Sequence, residues 1–169
     1  MKVAVIGCTH AGTAAILNLK RIYPDSDVTV FERNDNISFL SCGIALYVGG
    51  VVKDAQGLFY CSPDKLKELN VDTKMRHNVE SADIKGKKII AKNLETGVEI
   101  EHTFDKLIIT SGSWPIIPRI ERIDSNNILL SKNFDHSNAI IDAAKDAKKV
   151  VVVGAGYIGV ELVEAFNDQ

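Results

Sequence analysis

The sequence predicts an α/β fold: a parallel sheet carrying an antiparallel three-stranded meander, then the first strand and helix of a second unit of the same kind. Three observations carry that prediction. Two Val/Ile-rich runs, Lys2–Ile6 and 150–153, each break at a glycine-rich turn and lead into a helical pattern. Between them, short runs over 79–84, 88–94 and 98–104 are separated by Lys85-Gly86-Lys87 and Glu95-Thr96-Gly97, the punctuation of a meander. The composition, 46% apolar and 25% charged over 169 residues, suits a chain with a real core and shows no sign of disorder.

Taken in order, Lys2–Ile6 is short, β-branched and ends at Gly7, the pattern of a buried parallel strand. Over 11–22, Ala14, Ala15, Ile16, Leu17, Leu19 and Ile22 give a helix an apolar face for a sheet, and Pro24 stops it. A second strand over 28–31 ends at Glu32. The loop through Asn34, Asp35 and Asn36 then enters 36–50, which sets Cys42 before a short helix over 43–48. Ser62-Pro63 reads as an N-cap with proline at the first helical position, opening a helix to about Leu69. Val71–Met75 is the third parallel strand. After the meander, Lys106–Ile109 returns to the buried-strand pattern and ends at Thr110-Ser111-Gly112-Ser113. Trp114-Pro115 and Pro118 force an extended crossing segment. A helix over 135–147, the strand over 150–153 and a last helix over 157–166 complete the chain. The second βαβ unit then lacks a second strand, so the expectation is the N-terminal part of a longer architecture.

The bulk numbers exclude several classes. A formal net charge of −2 offers no basic face for nucleic acid or an acidic membrane. Met1-Lys2 runs straight into Val3, which is too short for a signal peptide or a spanning helix. Cys8, Cys42 and Cys61 are odd in number and widely spaced, which argues against a disulfide framework or a zinc site and for a reduced, cytoplasmic setting.

Two motifs carry chemistry. Gly7-Cys8-Thr9-His10-Ala11-Gly12 follows a strand and opens a helix, the context of a dinucleotide fingerprint. Gly7 permits the tight turn and Gly12 the close packing of helix on strand, while the helix N-terminus offers N–H groups to a pyrophosphate. Thr9 stands where the second glycine belongs. Glu32 lies somewhat beyond the roughly 20 residues at which an acid should meet a ribose hydroxyl. Gly154-Ala155-Gly156-Tyr157-Ile158-Gly159 is a complete version in the same context. Two fingerprints separated by a meander suggest two bound cofactors, one on each unit. The small-residue turn Thr110-Ser111-Gly112 is a place where the chain can pass close over one of them.

Cys42 is ambiguous from its residues alone. It precedes a helix, whose dipole favours a thiolate, but an isolated cysteine is more commonly inert and buried. His10, at the head of a helix, is either a proton-handling imidazole or an incidental turn residue. Cys8 and Cys61 have no charged surroundings and read as structural.

Together, Ser38-Phe39-Leu40-Ser41-Cys42-Gly43, the Thr9-His10-Ala11-Gly12 variant and Gly154-Ala155-Gly156-Tyr157-Ile158-Gly159-Val160-Glu161 resemble the flavin-dependent NADH oxidases and NADH peroxidases. These belong to the pyridine nucleotide–disulfide oxidoreductase superfamily. Cys42-Gly43-Ile44-Ala45-Leu46-Tyr47 and Thr110-Ser111-Gly112-Ser113-Trp114-Pro115 lean toward the water-forming oxidases. The resemblance implies a Rossmann-like FAD-binding domain, its N-terminal segment at 1–118 with the meander at about 79–104. A connecting segment and helix at 119–147 and the start of a Rossmann-like NADH-binding domain at 148–169 would follow.

It further implies that Cys42 cycles between thiolate and sulfenic acid without a partner cysteine, and that His10 is the acid–base residue. FAD would be held by Gly7, His10, Ala11, Gly12, Glu32, Cys42, Val79, Thr110, Ser111, Gly112, Ser113 and Lys132. NADH would meet Gly154, Gly156, Tyr157, Ile158, Gly159 and Glu161, with Tyr157 lying over the flavin until NADH arrives. The implied substrates are NADH with O2 or H2O2, and the implied assembly is a homodimer. The implied activity is an NADH oxidase that reduces O2 to water; NADH peroxidase, coenzyme A disulfide reductase and a truncated, inactive nucleotide-binding fragment are the alternatives.

Overall fold

In β1 (Lys2–Ile6), Val3, Ala4 and Val5 are all but inaccessible, because this strand lies inside a fully parallel sheet. In the computed structural model, which describes residues 1–167, β1 is flanked by β2 (Asp27–Glu32) and β7 (Lys106–Ile109). β3 (Val71–Met75) lies beyond β2, giving the order β3-β2-β1-β7. The registers are parallel throughout, with Val3 beside both Val28 and Lys106. These strands and the meander make up most of a first unit, Met1–Phe39 with Phe59–Gly112.

The two-residue period of a strand splits this unit's core into two layers. Val3, Val5, Val28 and Val30 join Ile16 of α1 (His10–Ile22) and Leu66 of α3 (Pro63–Glu68) on one face. Ala4 and Phe31 meet Ile89, Ala91 and Phe104 on the other. The second layer belongs to the meander, β4 (His77–Asp83), β5 (Lys88–Asn93) and β6 (Glu99–Thr103), an antiparallel sheet in chain order. The Ser62 hydroxyl accepts from the Lys65 N–H, the cap that Ser62-Pro63 announced.

A second unit comprises Leu40–Leu58 and the residues from Ser113 on. Here Ser41–Gly43 forms a single 3₁₀ turn that runs into α2 (Ile44–Val48). α2 packs on α4 (Phe134–Ala144) and α5 (Tyr157–Asn167). Tyr47 stacks on Phe134 at 6.2 Å and donates its hydroxyl to Asn138 at 3.3 Å. α4 ends before the expected 147 because 145–149 offers only Ala147 to bury.

The strand expected over 150–153 is not formed. Those residues have no ladder partner among the described residues, and Val151 and Val153 are 84% and 88% exposed. A parallel strand exists through its neighbour's hydrogen bonds, and among the described residues none lies beside this one. The helix expected after it is present. Asp168 and Gln169, the last residues of the segment expected at 148–169, lie outside the described residues. Among the described residues, no helix is long and apolar enough to cross a membrane.

Candidate functional site: two glycine-built helix starts

At the C-terminal end of β1 the chain turns at Gly7, whose φ of +88° no branched side chain tolerates well. Added Cβ atoms show how closely the turn is built. One on Gly7 would overlap the Thr110 carbonyl oxygen, and one on Gly12 would overlap the Gly7 carbonyl oxygen. The Gly7 N–H bonds the Phe31 carbonyl at 2.8 Å. Thr110, at the end of β7, bonds the Ile6 carbonyl through its N–H at 2.8 Å. Its hydroxyl lies 2.8 Å from that carbonyl and 2.9 Å from that of Gly7.

The turn therefore sits between the ends of β1 and β7. The chain goes to β2 and β3 on one side of β1 and places β7 on the other, so this is the topological switch point at which open α/β sheets bind ligands. Gly7, Ala11, Gly12, Thr110, Ser111 and Gly112 come together here. Ser111 and Gly112 are exposed, the latter at φ +71°.

The head of α1 faces this crevice without a cap. Its first hydrogen bond joins the Thr13 N–H to the Thr9 carbonyl, so the N–H groups of His10, Ala11 and Gly12 have no intrahelical acceptor. The Thr9 side chain does not cap the helix, and no acidic residue occupies its first turn. By contrast, α3 and α4 are capped by Ser62 and Asn133 and carry Asp64 and Asp135 in their first turns. A helix with free amides, an open dipole and a backbone cleared by two glycines fits a pyrophosphate.

Glu32 is 2% exposed and reaches into the same turn. Its carboxylate accepts from the Cys8 N–H at 2.6 Å and from the Asn34 N–H and side-chain amide at 2.9 and 2.6 Å. His10 is exposed and stacks on Tyr60, centroids 5.7 Å apart. Val79 lies on β4 beside a register shift and packs against the second core layer.

The three thiols differ sharply. Cys8 is fully buried, and burial pushes its thiol up from 9.0 to about 11, with Glu32 adding to the shift and the Thr13 hydroxyl opposing it. Burial also raises Cys61. Cys42 is the exposed one. It sits in the middle of the Ser41–Gly43 turn, in the second unit, whereas His10 lies in the first. The α-helix begins at Ile44, not at Gly43, and has only five residues, so the dipole expected to favour a Cys42 thiolate is short.

Also in the second unit, Lys132 donates to the Ser113 hydroxyl at 3.1 Å. The turn into α5 repeats the first in miniature. Gly154 has φ +121°, and a Cβ on Gly159 would overlap the Gly154 carbonyl oxygen. Tyr157, Ile158 and Glu161 are exposed, Tyr157 at 91%. Among the described residues no group of three His, Cys, Asp or Glu could hold a metal.

The comparisons accord with this geometry. The family model for pyridine nucleotide-disulphide oxidoreductases matches residues 1–169. The chain belongs to the pyridine nucleotide-disulphide oxidoreductase family. Within that family it is 61% identical over 166 residues to an NADH oxidase of Enterococcus faecalis, covering 98% of this chain and 37% of that protein. It superposes on the water-forming NADH oxidase from Lactobacillus brevis bound to NADH with a TM-score of 0.97 and 53% identity, covering 99% of this chain and 37% of that one. A coenzyme A disulfide reductase of Staphylococcus haemolyticus is 31% identical over 96% of this chain and 37% of its own length. The chain thus spans 37% of the length of each of these relatives.

Two groups escaped the sequence reading. Tyr60 stacks on His10 from 50 residues away, and Ser38 is a fully buried hub that bonds the Tyr60–Cys61 backbone. The one local signal was the Asn-rich loop before Ser38, which hosts its φ of +59°.

Proposed function

We propose that the protein carrying this chain is a flavin-dependent NADH oxidase that reduces O2 to water through one redox-active cysteine, Cys42. The observation that carries the reading is the uncapped head of α1 between the ends of β1 and β7. Gly7, Ala11 and Gly12 would take the FAD pyrophosphate, Glu32 and the Thr110–Gly112 turn would bound the same crevice, and Val79, Ser113 and Lys132 would complete the flavin contacts. Gly154, Gly156, Ile158, Gly159 and Glu161 would take NADH, with Tyr157 moving aside for it. Bound flavin supplies two-electron transfer from NADH.

The chain's own chemistry is that of a thiol. O2 takes up two electrons from NADH and two protons to give hydrogen peroxide. The Cys42 thiolate attacks one of its oxygens, the O–O bond breaks, the sulfenic acid forms, and hydroxide leaves to be protonated to water. Two electrons and a proton, ultimately from NADH, then break the S–O bond, returning the thiolate and releasing a second water. His10 is the acid–base group in this reading. Cys42 suits its part in being the exposed thiol, while Cys8 and Cys61 are kept protonated by burial. A homodimer in a reducing cytoplasm completes the proposal; the three free thiols accord with that setting.

Replacing Cys42 tests it. In the protein that carries this chain, Cys42→Ser should still oxidise NADH with O2 but release hydrogen peroxide, so that NADH consumed per O2 falls from two to one. Unchanged water formation refutes the role of Cys42. The relationship to coenzyme A disulfide reductases favours a second reading, in which Cys42 forms a mixed disulfide with coenzyme A. Faster turnover with coenzyme A disulfide than with O2 or H2O2 would select it.

A further inference from the structure

We propose that Tyr60 is a positioning residue for His10, its phenol ring holding the imidazole at the head of α1 in one orientation. This rests on the acid–base reading of His10. The ring planes lie 13° apart with centroids at 5.7 Å. The Tyr60 hydroxyl also donates to the His10 carbonyl, but at 3.4 Å that bond is long and weak, so the ring contact does the orienting.

Stacking suits an acid–base imidazole in a way that a hydrogen-bonded anchor does not. A ring held by its face keeps both nitrogens, whose N–H and lone pair lie in the ring plane, available for proton transfer. His10 is exposed and opens its helix, where a histidine left to itself samples several rotamers. The Tyr60 ring restricts that sampling without occupying either nitrogen.

Tyr60 is itself fastened from behind. The buried Ser38 hydroxyl accepts from the N–H groups of Tyr60 at 3.2 Å and Cys61 at 2.9 Å, and donates to the Cys61 carbonyl at 2.7 Å. The Ser38 N–H bonds the Cys8 carbonyl at 2.8 Å, two residues before His10. A bridge between Phe39 and Phe59, with their rings 5.6 Å apart, closes the other side. The backbones of both stacked rings are thus tied to one turn. Ser38 takes a φ of +59° to make that tie, a conformation that surrounding structure must over-determine.

Two readouts test the assignment in the protein that carries this chain. By NMR, the His10 ring protons should lie upfield under the Tyr60 ring current, stay there in Tyr60→Phe, and move downfield in Tyr60→Leu. In turnover, Tyr60→Leu should lose on the order of tenfold in kcat with KM for NADH unchanged. Tyr60→Phe should restore wild-type behaviour. Unmoved His10 resonances in Tyr60→Leu overturn the proposal, and so does a loss in Tyr60→Phe equal to that in Tyr60→Leu. If His10→Gln turns over normally, the acid–base reading falls, and the His10 Hα–Hβ couplings, those of one rotamer in wild type and averaged in Tyr60→Leu, still decide whether Tyr60 orients the ring.

Discussion

The chain builds one turn twice, and the two copies differ in what holds them. Gly7–Gly12 and Gly154–Gly159 align residue for residue: Cys8 with Ala155, Thr9 with Gly156, His10 with Tyr157. In both, the last glycine sits so close to the first glycine's carbonyl that no Cβ fits between them. In the first copy that carbonyl is also bonded by the Thr110 hydroxyl, the next N–H is bonded by Glu32, and the preceding strand is laddered on both sides. In the second, the segment before the turn is largely exposed, with no ladder among the described residues. Helix and turn thus follow from local sequence, while rigidity depends on neighbours.

The sharpest way to break this comparison is to add the same methyl group to each turn. Gly12→Ala drives a Cβ against the Gly7 carbonyl and to 2.9 Å from the Thr110 Oγ1, both held by the sheet. It should cost about 3 kcal/mol and lower Tm by roughly 10 °C, read by thermal unfolding of the 169-residue chain. Gly159→Ala meets the same carbonyl contact, but within these 169 residues 152–154 has no ladder among the described residues and moves aside, so in that chain the cost should stay below about 1 kcal/mol. Equal losses would show that the two turns are equally rigid.

A smaller effect separates the turns by pH. Cys8 is held protonated in the first turn, whereas its counterpart Ala155 has nothing to ionise. With the folded thiol raised from 9.0 to about 11, the unfolded chain loses this proton first as pH rises. That group's contribution is therefore complete below pH 9 and declines through the interval up to about 11, by about 2–3 kcal/mol. Urea unfolding at a series of pH values should show a steeper decline in wild type than in Cys8→Ala. Parallel curves would mean that the thiol ionises as freely folded as unfolded.

Such differences mark what the sequence could and could not tell. β1 and β7 fall on the residues expected of them, because an apolar run that ends at a turn signal leaves little choice of boundary. The glycine turns were legible because positive φ and a missing Cβ are local demands. The run at 150–153 has the composition of a strand, but strand formation is decided by a neighbour that its residues do not name. The state of each cysteine was likewise hidden. Cys42 looked like a candidate for burial and is exposed, since packing of α2 on α4 and α5 decides which side of the preceding turn faces out. The Ser38–Tyr60–His10 arrangement joins residues too distant in sequence for any periodicity to relate.

The finest probe of the comparison is Thr110, because the second turn has no counterpart to it among the described residues. Its hydroxyl lies within bonding distance of two carbonyls on consecutive residues, Ile6 at the end of β1 and Gly7 at the turn. It therefore fixes where β7 stops relative to where β1 turns, the alignment on which the crevice depends. Thr110→Val keeps the shape and removes the donor, and should cost about 1–2 kcal/mol. Thr110→Ser should recover most of that, since the hydroxyl and not the methyl does the tying. Hydrogen exchange at the Thr110 amide, bonded to Ile6 at 2.8 Å, gives the local readout: faster in Thr110→Val, near wild type in Thr110→Ser. If exchange stays slow in Thr110→Val, the β1–β7 ladder alone aligns the strand ends. The rigidity of the first turn would then come from its two flanking strands and the Glu32 bond to the Cys8 N–H, neither of which the second turn has among the described residues.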